Sequence, residues 1–66
     1  MDNYVTGAVI RRLREAKRLT QEELASRIGT KKTYISRVEN GHTDVQVSTL
    51  FKIFEGLGRR ISINIL

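Results

Sequence analysis

The sequence predicts an all-α protein, a compact bundle of about four helices, followed by one short C-terminal β-strand. Apolar residues recur at spacings of three and four through most of the chain, and Gly29, Gly41, Gly56 and Gly58 cut it into segments of helical length. Beyond Gly58 the period changes to two: Ile61, Ile63 and Ile65 alternate with Arg60, Ser62 and Asn64, which is the pattern of a strand. With no proline, repeat or linker-like stretch, residues 1–66 read as a single domain, with a helical core over 5–58 and a strand-forming tail over 59–66. A domain this small buries only about 60% of the surface its unfolded chain exposes, so its core is thin and association is a natural supplement.

The first helix is expected from about Val5 to Lys17, with Val9, Leu13 and Ala16 lining one face and Ile10 widening it. Arg11, Arg12, Arg14, Glu15, Lys17 and Arg18 give it a charged surface whose simplest reading is solvation. The second helix has the clearest local signal. Thr20-Gln21-Glu22-Glu23 is a capping box, with Thr20 as N-cap and Glu23 reaching back, and Leu19 and Leu24 bracket it as a hydrophobic staple. Leu24, Ala25 and Ile28 face inward, and Gly29 supplies the left-handed exit after barely two turns.

A third helix spans roughly Lys31 to Asn40, with Ile35 and Val38 one turn apart in the core. Lys32, Thr33, Ser36 and Arg37 share its opposite face, which carries long donors and hydroxyls but no carboxylate; Glu39 is the only acid of the segment. The fourth helix is expected to begin near Ser48 as cap, with Leu50, Ile53, Phe54 and Leu57 in the i, i+3, i+4, i+7 pattern and Phe51 broadening the stripe.

Composition narrows the function. The chain has no cysteine, so disulfides and thiolate metal sites are excluded, and His42 cannot build a metal cage alone; no metal or cofactor is expected. No nucleophile and base pair, carboxylate cluster or phosphate-cradling glycine loop is present, so an enzyme is not expected. No apolar run approaches the roughly 18 residues of a membrane helix, and the start lacks a secretory pattern, so a soluble cytoplasmic protein without membrane contact is expected. Twelve Lys/Arg against seven Asp/Glu give a net charge of +5, which points toward a polyanionic partner such as nucleic acid.

A short capped helix, a tight turn at Gly29-Thr30 and a second helix with a basic polar face make a helix-turn-helix. The segments Leu19-Thr-Gln-Glu-Glu-Leu-Ala-Ser-Arg-Ile-Gly29 and Tyr34-Ile-Ser-Arg-Val-Glu-Asn-Gly41 closely resemble the Cro and phage-repressor type of helix-turn-helix domain, the XRE family, over about residues 5 to 58. The resemblance implies double-stranded DNA as partner and a transcriptional regulator, with the third helix in the major groove, where donors distinguish base edges. It places Lys31, Lys32, Thr33, Ser36 and Arg37 at the reading face, Tyr34 near a phosphate or thymine methyl, and Gln21 and Asn40 at phosphate-facing positions. Arg37 is the favoured guanine reader, whereas Lys32 suits either base or phosphate. The same resemblance implies an ion pair between Arg14 and Glu39 that joins the first helix to the third. On residues alone, the Lys31–Arg37 face fits a solvated basic surface equally well; the family resemblance tips the reading toward DNA.

Two features depart from the family pattern. Lys31 stands where many relatives carry a small hydroxyl residue that caps the third helix, which leaves Thr30 as the alternative cap. Phage repressors usually continue into a fifth helix, whereas residues 59–66 read as strand. One strand cannot satisfy its own backbone, so Ile61, Ile63 and Ile65 are expected to mark a segment that pairs antiparallel with a second copy in a homodimer. That tail resembles the dimerising strand of antitoxins, which gives an alternative reading: an antitoxin that binds a toxin protein and regulates its own operon.

Overall fold

In a computed structural model the described residues are 2–58, and they form four helices: α1 (Asn3–Ala16), α2 (Gln21–Ile28), α3 (Lys32–Glu39) and α4 (Val47–Gly56). None of these helices is long and apolar enough to cross a membrane. The expected strand and its isoleucines lie outside the described residues.

α1 starts two residues earlier than its apolar periodicity indicates, because the Asp2 carboxylate accepts the backbone N–H of Tyr4 at 2.8 Å and caps the first turn. Its end has no glycine. Arg18 takes the left-handed conformation there (φ 55°), its N–H bonds the Glu15 carbonyl, and the Leu19 N–H bonds the Arg14 carbonyl. These two bonds make a Schellman exit on a residue that sequence rules do not flag. Leu19 is buried immediately afterwards, so one residue closes α1 with its backbone N–H and packs its side chain in the core at the start of α2.

α2 follows the expected pattern closely. The Thr20 hydroxyl accepts the Glu23 N–H and the Glu23 carboxylate accepts the Thr20 N–H, both at 3.0 Å, while Gly29 leaves with φ 74°. Hydrogen bonding to Thr20 holds the Glu23 carboxyl below its ordinary pKa. α3 begins after Lys31 with no side-chain cap, so Thr30 does not take the role the sequence offered it. α4 also differs from expectation, since its N-cap is Gln46 and Ser48 lies inside the first turn. Gln46 caps with its backbone only, accepting the Leu50 N–H at 2.9 Å.

All four helices meet in one core of Ile10, Leu19, Leu24, Ala25, Ile35, Val38, Ile53 and Leu57, with Leu13, Ile28, Tyr34, Val45, Leu50 and Phe54 packed around it. The inward face of α1 is therefore centred on Ile10. Val9 and Ala16, expected to point inward, are exposed. The rotation has a cause at Gly7: a Cβ built there would lie 2.3 Å from the Val38 carbonyl oxygen and 2.7 Å from that of Glu39. α1 thus crosses the end of α3 backbone to backbone, and this contact fixes which α1 side chains turn inward.

Replacing Gly7 with alanine should force these helices apart. Because the obstruction is main chain, the expected loss is about 1–3 kcal/mol of stability, the usual cost of overpacking, despite alanine's better helix propensity. Urea unfolding of Gly7→Ala measures it; a variant as stable as the parent would refute the close approach.

Candidate nucleic-acid interface

α2, the Gly29-Thr30 turn and α3 form the predicted helix-turn-helix. Leu24 and Ala25 on one helix and Ile35 and Val38 on the other are buried together, which turns the remaining faces of α3 outward. Lys31, Lys32, Thr33 and Arg37 are exposed, Ser36 and Tyr34 are half-buried, and Asn40 is exposed at the helix end. The residues assigned to the reading face thus share one accessible side, while Tyr34 also leans on the core.

Glu39, the sole acid of α3, is withdrawn from that side. It is 4% exposed. Arg14 donates to it twice, Nε to Oε2 at 2.6 Å and Nη2 to Oε1 at 3.0 Å. The Gln21 amide nitrogen donates to Oε1 at 3.1 Å and Arg11 Nε at 3.3 Å. Arg14 also donates to the Leu19 carbonyl at 2.7 Å, so one guanidinium spans the carboxylate and the entry to α2. Burial alone would push the Glu39 carboxyl up, but the hydrogen bonds and charge of Arg14, with Gln21 and Arg11, outweigh it and hold the pKa below its ordinary value. The Arg14 guanidinium is correspondingly raised, chiefly by its hydrogen bond to Glu39.

The family resemblance implied the Arg14–Glu39 pair, and the structure brings these residues together. Arg11 was missed. It lies one turn before Arg14 on the same side of α1, and this i, i+3 relation is the signal that could have identified it. Its Nη2 donates to the Asn40 side-chain carbonyl at 3.0 Å, and the Asn40 amide nitrogen donates to the Ser36 hydroxyl at 3.5 Å, which leaves one of its two N–H groups as a donor. Gln21, expected at a phosphate, has its own side-chain amide nitrogen on Glu39, so its side chain braces the network from α2.

Charge follows from this geometry. With Glu39 neutralised inside, the outer side of α3 presents Lys31, Lys32 and Arg37 without a carboxylate among them. Such a projecting helix, short, cationic and rich in donors, has the dimensions and chemistry to enter a B-DNA major groove.

The fold and this face define a DNA-binding regulator domain. A family model described as helix-turn-helix matches residues 10–64, and the chain belongs to that family, in the XRE branch that its motif resembles. It is 39% identical over 54 residues to an uncharacterized HTH-type transcriptional regulator, y4dJ, of Sinorhizobium fredii, covering 82% of this chain and 70% of that one. Similarity to the control protein C.MunI of a Mycoplasma species reaches 40% over 57 residues, or 85% of this chain and 77% of that one. Among solved structures, the restriction-modification controller protein C.AhdI from Aeromonas hydrophila superposes with a TM-score of 0.86 at 34% identity, covering 89% of this chain and 86% of that one. The chain is accordingly a DNA-binding transcription regulator. A toxin partner, the alternative left open by the tail, finds no support in these relatives.

The lowered Glu39 pKa has a definite consequence for stability. Its contribution is complete above the ordinary carboxylate value of 4.5 and is lost as pH falls from there through the lower folded value. Glu39→Gln should lose about 3 kcal/mol at neutral pH by stranding Arg14, and should unfold with less dependence on acid than the parent. Denaturant unfolding at a series of pH values measures both effects, and an unchanged acid profile would refute the assignment.

Proposed function

We propose that the protein binds a pseudo-palindromic DNA operator as a homodimer, laying α3 of each copy in the major groove, and represses transcription by occupying the promoter. The observation that carries this reading is the accessible Lys32, Thr33 and Arg37 on a helix whose only acid is buried and paired. Arg37 reads guanine through its planar guanidinium, and Thr33 and Ser36 contact neighbouring base edges. Lys32 takes a base edge or a phosphate. Lys31, Tyr34, the Asn40 amide and the start of α2 at Gln21 set the register on the phosphates. The protein acts by binding and not by catalysis.

Dimerisation supports the reading on physical grounds. One short helix reads too few base pairs for an operator, whereas a two-fold dimer presents two reading helices about 34 Å apart, one turn of DNA. The alternating Ile61, Ile63 and Ile65 supply a strand that pairs with its copy across the axis. Control and controller proteins among the relatives agree with a regulatory role.

Selection of bound fragments from random DNA at fixed salt should return a two-fold symmetric motif; no enriched sequence would overturn the proposal. Arg37→Ala should relax preference at one position per half-site by about 1–3 kcal/mol while leaving the unfolding transition unchanged, and undiminished base preference would remove its reading role. Ile63→Arg should lower self-association and operator affinity together. Sedimentation equilibrium decides that point, since a variant still dimeric at micromolar concentration contradicts the strand interface.

A further inference from the structure

Two guanidinium groups of α1 approach the one buried carboxylate of α3, and they are not used alike. Arg14 makes the bidentate pair with Glu39 at 2.6 and 3.0 Å, and its side chain is 11% exposed. Arg11 reaches the same carboxylate only through Nε at 3.3 Å, and its side chain is 45% exposed. One carboxylate neutralises one guanidinium, so Arg11 carries the surplus positive charge of the network at its solvent edge. A guanidinium has five N–H donors. In Arg11, Nε is on Glu39 and one N–H of Nη2 is on the Asn40 side-chain carbonyl, and the others meet no acceptor among the described residues.

These open donors line a cleft of about 290 Å³, to which α1 contributes Arg11, Arg12, Tyr4 and Glu15, and the end of α3 contributes Glu39 and Asn40. Both walls are set by backbone contacts. Gly7 brings α1 against the Val38 and Glu39 carbonyls, and Gly41, with φ 73°, brings the chain after α3 to where a Cβ would lie 3.0 Å from the Tyr4 Cα. The Asn40 amide gives Oδ1 to Arg11 and one N–H to the Ser36 hydroxyl, which leaves its second N–H as a further donor at this end of α3. Glu15 is the exposed acid of the rim, and neither Arg11 nor Arg12 is paired with it. With Glu39 neutralised by Arg14, two arginines against Glu15 leave the mouth of the cleft cationic.

We propose that Arg11, together with the Asn40 amide, holds a phosphate of the DNA backbone in this cleft, so that α1 as well as α3 positions the protein on the duplex. The chemistry selects the occupant. Guanidinium and amide N–H groups donate without accepting, which suits an oxyanion, and a phosphodiester is the oxyanion that a helix lying in the groove brings with it. In such docking the first residues of the reading helix meet base edges, and Asn40 follows Lys32 by about 12 Å along the axis, so Arg11 acts at the opposite end of α3 from Lys31. Glu39 holds Arg11 Nε from inside while the phosphate takes the outer edge of the same guanidinium. The side chain thus ties the buried network that sets α3 directly to the duplex. This assignment rests on α3 lying in the major groove and is independent of the dimer.

Arg11→Gln, Arg11→Lys and, as a charge control on the exposed side of α4, Lys52→Gln are compared with the parent as full chains, each checked by circular dichroism. Affinity for a duplex bearing the selected motif is measured across a range of salt concentrations. Each phosphate neutralised contributes about −0.9 to the slope of log K against log salt. Arg11→Gln should flatten that slope by about 0.9 for each bound copy and weaken binding about tenfold at low salt, with base preference kept. Arg11→Lys should restore the slope, and Lys52→Gln should leave it as in the parent. Duplexes with one neutral methylphosphonate stepped along each strand locate the contact: at one position for each bound copy the parent should lose about tenfold, and Arg11→Gln nothing further. A slope and a methylphosphonate profile unchanged in Arg11→Gln would confine Arg11 to bracing Glu39 and overturn the proposal. Altered base preference at an unchanged slope would mean that α3 had only tilted, and overturns it equally. Inorganic phosphate should displace the parent no better than chloride of equal ionic strength; displacement specific to phosphate and lost in Arg11→Gln would assign the cleft to a free anion instead. A parent that binds no duplex at any salt removes the DNA reading itself, an outcome distinct from all of these.

Discussion

The Glu39 carboxylate sits where α1, α2 and α3 meet, and the orientation of the outward side of α3 depends on how it is satisfied. A buried charge is costly unless its hydrogen-bonding capacity is met by opposite charge at good geometry. Here Arg14 and Arg11 come from α1 and Gln21 from α2, while Glu39 is the final residue of α3. Among the described residues no buried side-chain polar atom lacks a partner. The network draws three helices toward one point, and it also holds the one carboxylate of α3 buried and paired, away from the exposed cationic side. Structural and electrostatic roles are thus carried by the same atoms.

The rest of the scaffold makes that arrangement possible. α2 and α3 have eight residues each, too short to persist alone in water, so they depend on their caps and on the shared core. Gly7 lets the α1 backbone pass against the α3 carbonyls, which brings Arg11 and Arg14 within reach of Glu39. Leu19 closes α1 and staples α2 within one residue, leaving no slack between the helices. A reading helix held on so many sides approaches DNA already oriented, which lowers the ordering cost of binding.

Local signals in the sequence proved legible where the physics is local. The Thr20 capping box, the Gly29 exit and the Ile35 and Val38 pair depend on residues within a turn of each other, and each stands as read. Boundaries were less legible where a cap or turn used an unmarked residue: Asp2 starts α1 early, Arg18 takes a left-handed conformation without being glycine, and Gln46 begins α4 ahead of Ser48. Periodicity placed Val9 and Ala16 inside because it finds a stripe without knowing what lies opposite; the contact at Gly7 turned the stripe toward Ile10.

The sequence by itself determined the order of the four helices among the described residues, the basic character of α3 and, through family resemblance, the pairing of Arg14 with Glu39. These follow from short-range spacing, net charge and a motif fixed over a dozen residues. Only the tertiary structure decided that Arg11 joins the pair and orients Asn40, that the Gln21 side chain turns inward, and that Val5 and Val9 face an open groove on α4. Those outcomes depend on the crossing of α1 over α3, a contact between residues some thirty positions apart, whose distance and angle no local rule encodes.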